Sequence, residues 1–99
     1  MQAWYSPQFE RDMGCTEPEL LRWLPGATEP HGLQLRHDAA TVTIGTGRLE
    51  LGWSVLPDRQ IALMRMPRLA VTFRFEGVDE AARQAFMRHF DLYTQRGGG

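Results

Sequence analysis

The chain has 99 residues, 42% of them hydrophobic and 23% charged, with a formal charge of −1. That length limits it to one domain, with about one sheet and one or two helices, and the near-zero charge gives no overall attraction to nucleic acid or to an acidic membrane. Cys15 is the one cysteine, so no internal disulfide can form, and such thiol usage fits a reducing cytoplasm.

All eleven basic residues are arginine, the usage of a GC-rich bacterial genome, and arginine also offers planar, bidentate contacts to anions. The opening segment "MQAWYSPQFERDMG" has no basic stretch followed by an apolar run and does not read as a signal peptide. No stretch approaches the ~20 apolar residues that cross a bilayer as a helix. Residues 1–15 are weakly periodic and read as an N-terminal arm, pinned to the body by Trp4, Tyr5 and Phe9. "CTEPELLRWLPG" predicts a short helix. Thr16 is the N-cap, Glu19 completes a capping box three residues on, Pro18 sits in the first turn, and Glu17 and Glu19 suit the positive end of the dipole. Leu20, Leu21, Trp23 and Leu24 form its apolar side, and Pro25-Gly26 is the expected stop.

From Gly32 the apolar period becomes two, the signature of half-buried strands. Leu33 and Leu35, then Val42 and Ile44, then Leu49, Leu51, Trp53 and Val55 each share a face. Gly45-Thr46-Gly47 and Pro57-Asp58-Arg59 read as turns. "QIALMRM" reads as a separate strand ended by Pro67, with Ile61 and Leu63 on the core side. "RLAVTFRFEG" alternates strictly. Leu69, Val71, Phe73 and Phe75 point one way, and Ala70, Thr72, Arg74 and Glu76 the other. Burying those four side chains is worth up to about 6–12 kcal/mol, comparable with the whole net stability of a domain, so this strand is expected to be central.

Asp79 caps the last helix, in which Ala82, Phe86, Phe90 and Tyr93 recur at helical spacing, with Ala85 and His89 flanking and Arg83, Gln84, Arg88, Asp91 and Gln95 on the wetter side. The helix is expected to end near Gln95 or Arg96. A terminal "RGGG" is also the chemistry of activated tails in ubiquitin-like carriers and sulfur carriers. Those tails follow a strand in a hairpin–helix–hairpin plan, which this order of elements lacks. Here the glycines read as a C-cap followed by a frayed tail at 97–99. The expected fold is α+β over residues 1–99, an antiparallel meander of four to six strands with a short N-terminal helix and a long C-terminal helix across one sheet face.

No residue pattern carries recognisable catalysis. Cys15 has no histidine at a spacing that forces proximity. His31, His37, Asp38, His89 and Asp91 have no standard zinc spacing. Glu50 and Glu76 have arginine neighbours, Arg48 and Arg74, and read as cross-strand ion pairs. "GTG" at 45–47 lacks the helix a phosphate loop needs. No catalytic residue, metal site or cofactor is assigned.

Three surfaces remain. On the face away from the core, Ala62, Met64, Met66, Ala70 and Thr72 form an apolar outer patch suited to a protein partner, most simply a second copy. Arg36, Arg59, Arg68 and Arg74, with Arg65 nearby, could hold a phosphate, a carboxylate ligand or RNA weakly. Phe73 and Phe75 point away from Arg74, which argues against base stacking. Trp23, Trp53, Arg65, His89 and Tyr93 would line a ligand pocket between helix and sheet. The reading that follows is a non-enzymatic, cytoplasmic, homodimeric interaction module with no membrane partner. A small-ligand pocket, possibly enzymatic, is the alternative, and weak anion or RNA binding the third.

Overall fold

The computed structural model of the chain describes residues 4–98; residues 1–3 and Gly99, the outer ends of the expected arm and tail, lie outside them. The elements are β1 (Gln8–Met13), α1 (Glu17–Ala27), β2 (Gly32–Arg36), β3 (Ala39–Ile44), β4 (Gly47–Ile61), β5 (Met64–Glu76) and α2 (Glu80–Gly98). The strands form one antiparallel sheet in the order β1-β5-β4-β3-β2. After β1, helix α1 carries the chain across to the far edge, and the meander β2 to β5 brings it back. The fold is α+β, with β5 between β1 and β4.

The inner face meets both helices. Leu69, Val71, Phe73 and Phe75 are buried against Leu20, Trp23 and Leu24 of α1 and Phe86, Met87 and Phe90 of α2. Phe73 meets Phe90 edge-on at 5.5 Å and Phe75 meets Phe86 at 6.0 Å. These offset geometries add to area burial.

Helix α1 starts as its sequence requires. The Thr16 hydroxyl accepts from the Glu19 amide at 3.2 Å, and the Glu19 carboxylate accepts from the Thr16 amide at 2.8 Å. It does not stop at Pro25-Gly26 but runs to Ala27. In the last turn Pro25 leaves one carbonyl, that of Leu21, without its helical donor, and Leu21 faces solvent. Gly26 is needed for a different reason, because a Cβ there would overlap the Tyr93 ring.

The first fifteen residues hold a strand that weak periodicity did not signal. Residues 8–13 pair with β5 from Arg74 to Leu69. Tyr5 is buried, its hydroxyl donating to Asp91, and Phe9 stacks on Phe73 at 4.6 Å. This segment also covers the side of α2 expected to be wet. Arg83 Nε donates to the Tyr5 carbonyl at 2.8 Å, Gln84 bonds both the amide and the carbonyl of Tyr5, and Asp91 takes Arg11 at 2.5 Å. Arg83 and Asp91 are therefore buried, while Tyr93, expected on the core stripe, is 39% exposed. Asp79 caps α2 through its carboxylate and the Ala82 amide at 2.8 Å. The helix continues to Gly98 rather than stopping at Gln95 or Arg96. Glycine costs a helix about 1 kcal/mol but does not block it.

The largest departure is in β4 and β5. "QIALMRM" is not a separate strand. Pro57-Asp58-Arg59 lies inside β4, Pro67 lies inside β5, and the chain reverses at Ala62-Leu63. β3 accompanies β4 only to Gly52, and β1 accompanies β5 only to Leu69. Beyond those points two strands continue alone as a projecting arm, residues 55–68. The molecule measures 46 × 29 × 21 Å and its radius of gyration is 13.6 Å, against about 12.6 Å for a compact chain of this length. Val55, Ile61 and Leu63, expected in the core, are exposed on the arm, as is Leu35 on the β2 edge. No helix reaches far enough to cover them.

Candidate interaction surface

The face of the sheet opposite the helices is bare. Strand register arranges it in rungs. Gln34, Thr41, Glu50, Arg74 and Gln8 form one; Arg36, Ala39, Gly52, Thr72 and Glu10 the next; then Ser54, Ala70 and Asp12; then Leu56 and Arg68 at the root of the arm.

The first zone is an ion network. Arg48 bonds Glu50 at 3.1 Å and Glu76 at 2.5 Å, Arg74 bonds Glu76 at 3.1 Å, and Arg36 bonds Glu50 at 3.1 Å. Of these, Arg48–Glu76 joins neighbouring strands as the sequence implied, whereas Arg48–Glu50 and Arg74–Glu76 lie along one strand and Arg36 reaches from β2 to β4. Burial works to raise the Glu50 pKa, but hydrogen bonds from Thr41 and Arg36 outweigh it and hold the carboxyl below its ordinary value. The zone is nearly neutralised from within.

The second zone is a trough of small side chains, Ala39, Gly52, Ser54, Ala70 and Thr72. Two shallow hollows of about 740 and 370 Å³ meet over Gly52 and Thr72. Acidic groups border it, with Glu10 and Asp12 on β1 and Asp38 in the β2–β3 turn.

The third zone is the arm. Its register shifts between Leu56, opposite Arg68, and Arg59, opposite Met66, so β4 carries an extra residue there. A bulge reverses side-chain parity. Val55 and Trp53 belong to the inner row, but beyond the bulge Arg59 and Ile61 belong to the outer row, beside Met66 and Met64. Leu63 at the tip is 100% exposed, Val55 71%, Met64 64% and Ile61 54%. The arm also carries Arg59, Arg65 and Arg68. Arg68 donates from Nε and Nη2 to one Asp12 oxygen at 3.0 and 2.7 Å, which draws the Asp12 pKa below its ordinary value. Among the described residues no carboxylate lies within ion-pair distance of Arg59.

Of the residues expected on an outer patch, Met64, Met66, Ala70 and Thr72 share the outer row of β5. Ala62 lies at the arm's turn, at φ +54°. Leu56, Ile61, Gly52 and Ser54 join them and were missed. The signal was Pro57-Asp58 inside an alternating run, read as a turn when it marks a bulge. The four arginines of the anion reading do share the outer side, but Arg36, Arg68 and Arg74 are held by carboxylates.

Of the residues expected around a helix–sheet pocket, His89 and Tyr93 lie together against Gly26 with ring centroids 6.2 Å apart, while Arg65 is remote from them on the arm. Trp23 and Trp53 are buried, and Trp53 Nε1 donates to Glu17 at 2.8 Å. Tyr93 lies over Gly26, His89 Nε2 is 2.9 Å from the Gly26 carbonyl oxygen, and Arg65 is on the arm opposite Gln60. A separate apolar groove of about 550 Å³ lies between α2 and the end of β3, lined by Glu29, Pro30, His31, Ile44, Ala82, Ala85, Phe86 and His89.

Cys15 is buried, and burial, with help from Glu19, pushes its thiol up to about 11, so it is a poor nucleophile. Among the described residues no three His, Cys, Asp or Glu side chains converge as a metal site, and no helix is long and apolar enough to cross a membrane. Compared with known proteins, the chain matches no family model, no curated protein and no solved structure.

Proposed function

We propose that the protein is a non-enzymatic interaction module that self-associates through its outer sheet face and arm. The observation that carries this reading is the arm itself. Ile61, Met64 and Met66 are large apolar side chains held in water on the outer face of one projecting hairpin, with Leu63 at its tip, while Val55 is exposed on its inner face. Contiguous exposed apolar surface of this kind marks binding sites, and methionine surfaces adapt well to a partner. A two-stranded hairpin is marginal in water by itself, so an arm that long gains its order from what it touches. Size-exclusion with light scattering from one to a hundred micromolar is the test. A mass near twice 11.3 kDa that returns to one chain with Met64→Asp supports the reading. A single-chain mass throughout, unchanged by the substitution, removes it.

The groove beside α2 favours a second reading, in which an apolar small molecule lies between Phe86 and Ile44 with His31 and His89 at its rim. Saturable binding of an apolar fluorescent probe that Ala85→Trp abolishes would support it; probe binding indifferent to that substitution would not.

A further inference from the structure

The outer row of β5 is antisymmetric in size about Arg68. Met64 and Met66 lie on the arm side of it, and Ala70 and Thr72 lie at matching distances on the body side. β4 repeats the pattern. Ile61 and Arg59 are on the arm, Ser54 and Gly52 on the body, and Leu56 stands opposite Arg68 between them. Each large side chain thus has a small counterpart at the same distance from one point. A two-fold axis uses such an arrangement, because it turns each arm position onto a body position of the other copy.

We propose that two copies clasp outer face to outer face, each arm lying in the trough of the other, about a two-fold axis that crosses the sheet over Leu56 and Arg68. This inference rests on the self-association reading and gives it a geometry. Met66 then sits over the second copy's Ala70, Met64 over its Thr72 and Ile61 over its Gly52, where the hollows lie.

Charge agrees with size. The axis brings Arg59, which acts on Asp12 of its own chain but makes no direct ion pair among the described residues, beside the second copy's Asp38 at the trough's end. It also places each Asp12 between two Arg68 guanidinium groups, so the ion pair now within one chain becomes shared. An arm about 20 Å long and 10 Å wide, counted for both copies with the surface each covers, buries about 800 Å² in all, the size of a weak, concentration-dependent contact rather than of an obligate dimer. Aligned face packing places the two sheets about 10 Å apart.

Met66→Cys and Ala70→Cys chains, distinguishable by mass, are mixed at a concentration where the protein is dimeric and treated with a short bismaleimide of about 10 Å reach, matched to that spacing. Cys15, being buried, stays silent. The clasp predicts at least tenfold more cross-linking between position 66 of one chain and position 70 of the other than between two copies of position 66, which lie about 13 Å apart along the strand. Met64→Cys with Thr72→Cys repeats the test at a second pair. Dimers that cross-link 66 to 66 preferentially, as arms paired edge to edge would, or that cross-link neither pair, overturn the clasp while leaving self-association standing. A chain that stays monomeric overturns both.

Discussion

Ile61 pairs with Met64 at the far end of the β4–β5 hairpin, and both stand on the outer side of the sheet. Simple alternation from Trp53 would put Ile61 on the core side. The extra residue at Pro57-Asp58 reverses the parity and unites Ile61, Met64 and Met66 on one surface. The arm's apolar character is therefore a property of the bulge as much as of the residues beyond it.

Tyr5 to Asp91 is the tie between the N-terminal segment and α2, and Arg11 completes it. Tyr5→Phe removes one charge-assisted bond from a buried carboxylate that keeps its arginine, and is expected to cost about 1–3 kcal/mol. Asp91→Ala leaves both Tyr5 and Arg11 without their acceptor and should cost more. Urea denaturation of both variants checks the order; equal, negligible losses would mean the segment does not contribute to global stability.

Gly47 begins β4 against the backbone of Gly77, where a Cβ would overlap the Gly77 carbonyl. Backbone cannot move aside as a side chain can. Gly47→Ala should therefore destabilise by about 2–4 kcal/mol, whereas Gly14→Ala, where nothing crowds the added carbon, should stay within about 0.5 kcal/mol. Thermal denaturation of the pair reads the contrast directly.

Stability should fall at both ends of the pH range. Arg68 hydrogen bonding lowers the Asp12 carboxyl below 3.8, and Glu50, despite burial, is held below 4.5 by Thr41 and Arg36. The unfolded chain takes up these protons at higher pH than the folded chain. Their contribution is complete above about pH 5 and is lost as pH falls through the lower folded values. Burial and the bond to Asp91 raise Tyr5 above 10.0, so its contribution is complete below about pH 10 and is lost as pH rises toward the folded value. Cys15, raised from 9.0 to about 11, acts in the same direction from about pH 9, so urea midpoints from pH 3 to 11 should decline below pH 5 and above about pH 9, with the part of the alkaline decline above pH 10 reduced in Tyr5→Phe. A flat profile would contradict both assignments.

Cys15 should resist labelling. With its thiol pushed up by burial to about 11 against an ordinary 9.0, the thiolate fraction at pH 8 falls about 100-fold, before the loss of reagent access is counted. Thiol-reagent kinetics with and without urea measure the ratio; comparable rates in the two states would place Cys15 at an accessible surface instead.

How much of this was legible depended on whether a signal was local. The capping box at Thr16 and Glu19, the alternation of Leu69 to Phe75 and the Asp79 cap are local, and each appears where the residues put it. The paired charges of Arg48, Arg74, Glu50 and Glu76 follow from the same alternation. β1 was hidden because its inner row, Phe9, Arg11 and Met13, has a charge in the middle. Arg11 is tolerated there only because Asp91, eighty residues away, meets it. Arg83 and Asp91 looked wet for the same reason, since their partners lie in the N-terminal segment. On the candidate surface, Met64, Met66, Ala70 and Thr72 were found by parity. Ile61 and Leu56 were lost because a bulge cannot be told from a turn when proline and aspartate serve both.

The central claim is that a second copy covers the outer face of the arm, and methyl resonances of the methionines test it most directly. Met64 and Met66 stand on that face, while Met87 is fully buried in the core and serves as the internal reference. On dilution from a hundred micromolar to one, the account predicts that the Met64 and Met66 methyl signals shift together, at the midpoint where the scattering mass halves, while Met87 stays fixed. Met64 and Met66 signals that ignore concentration, or a dilution shift at Met13 on the β1 edge without them, would contradict it.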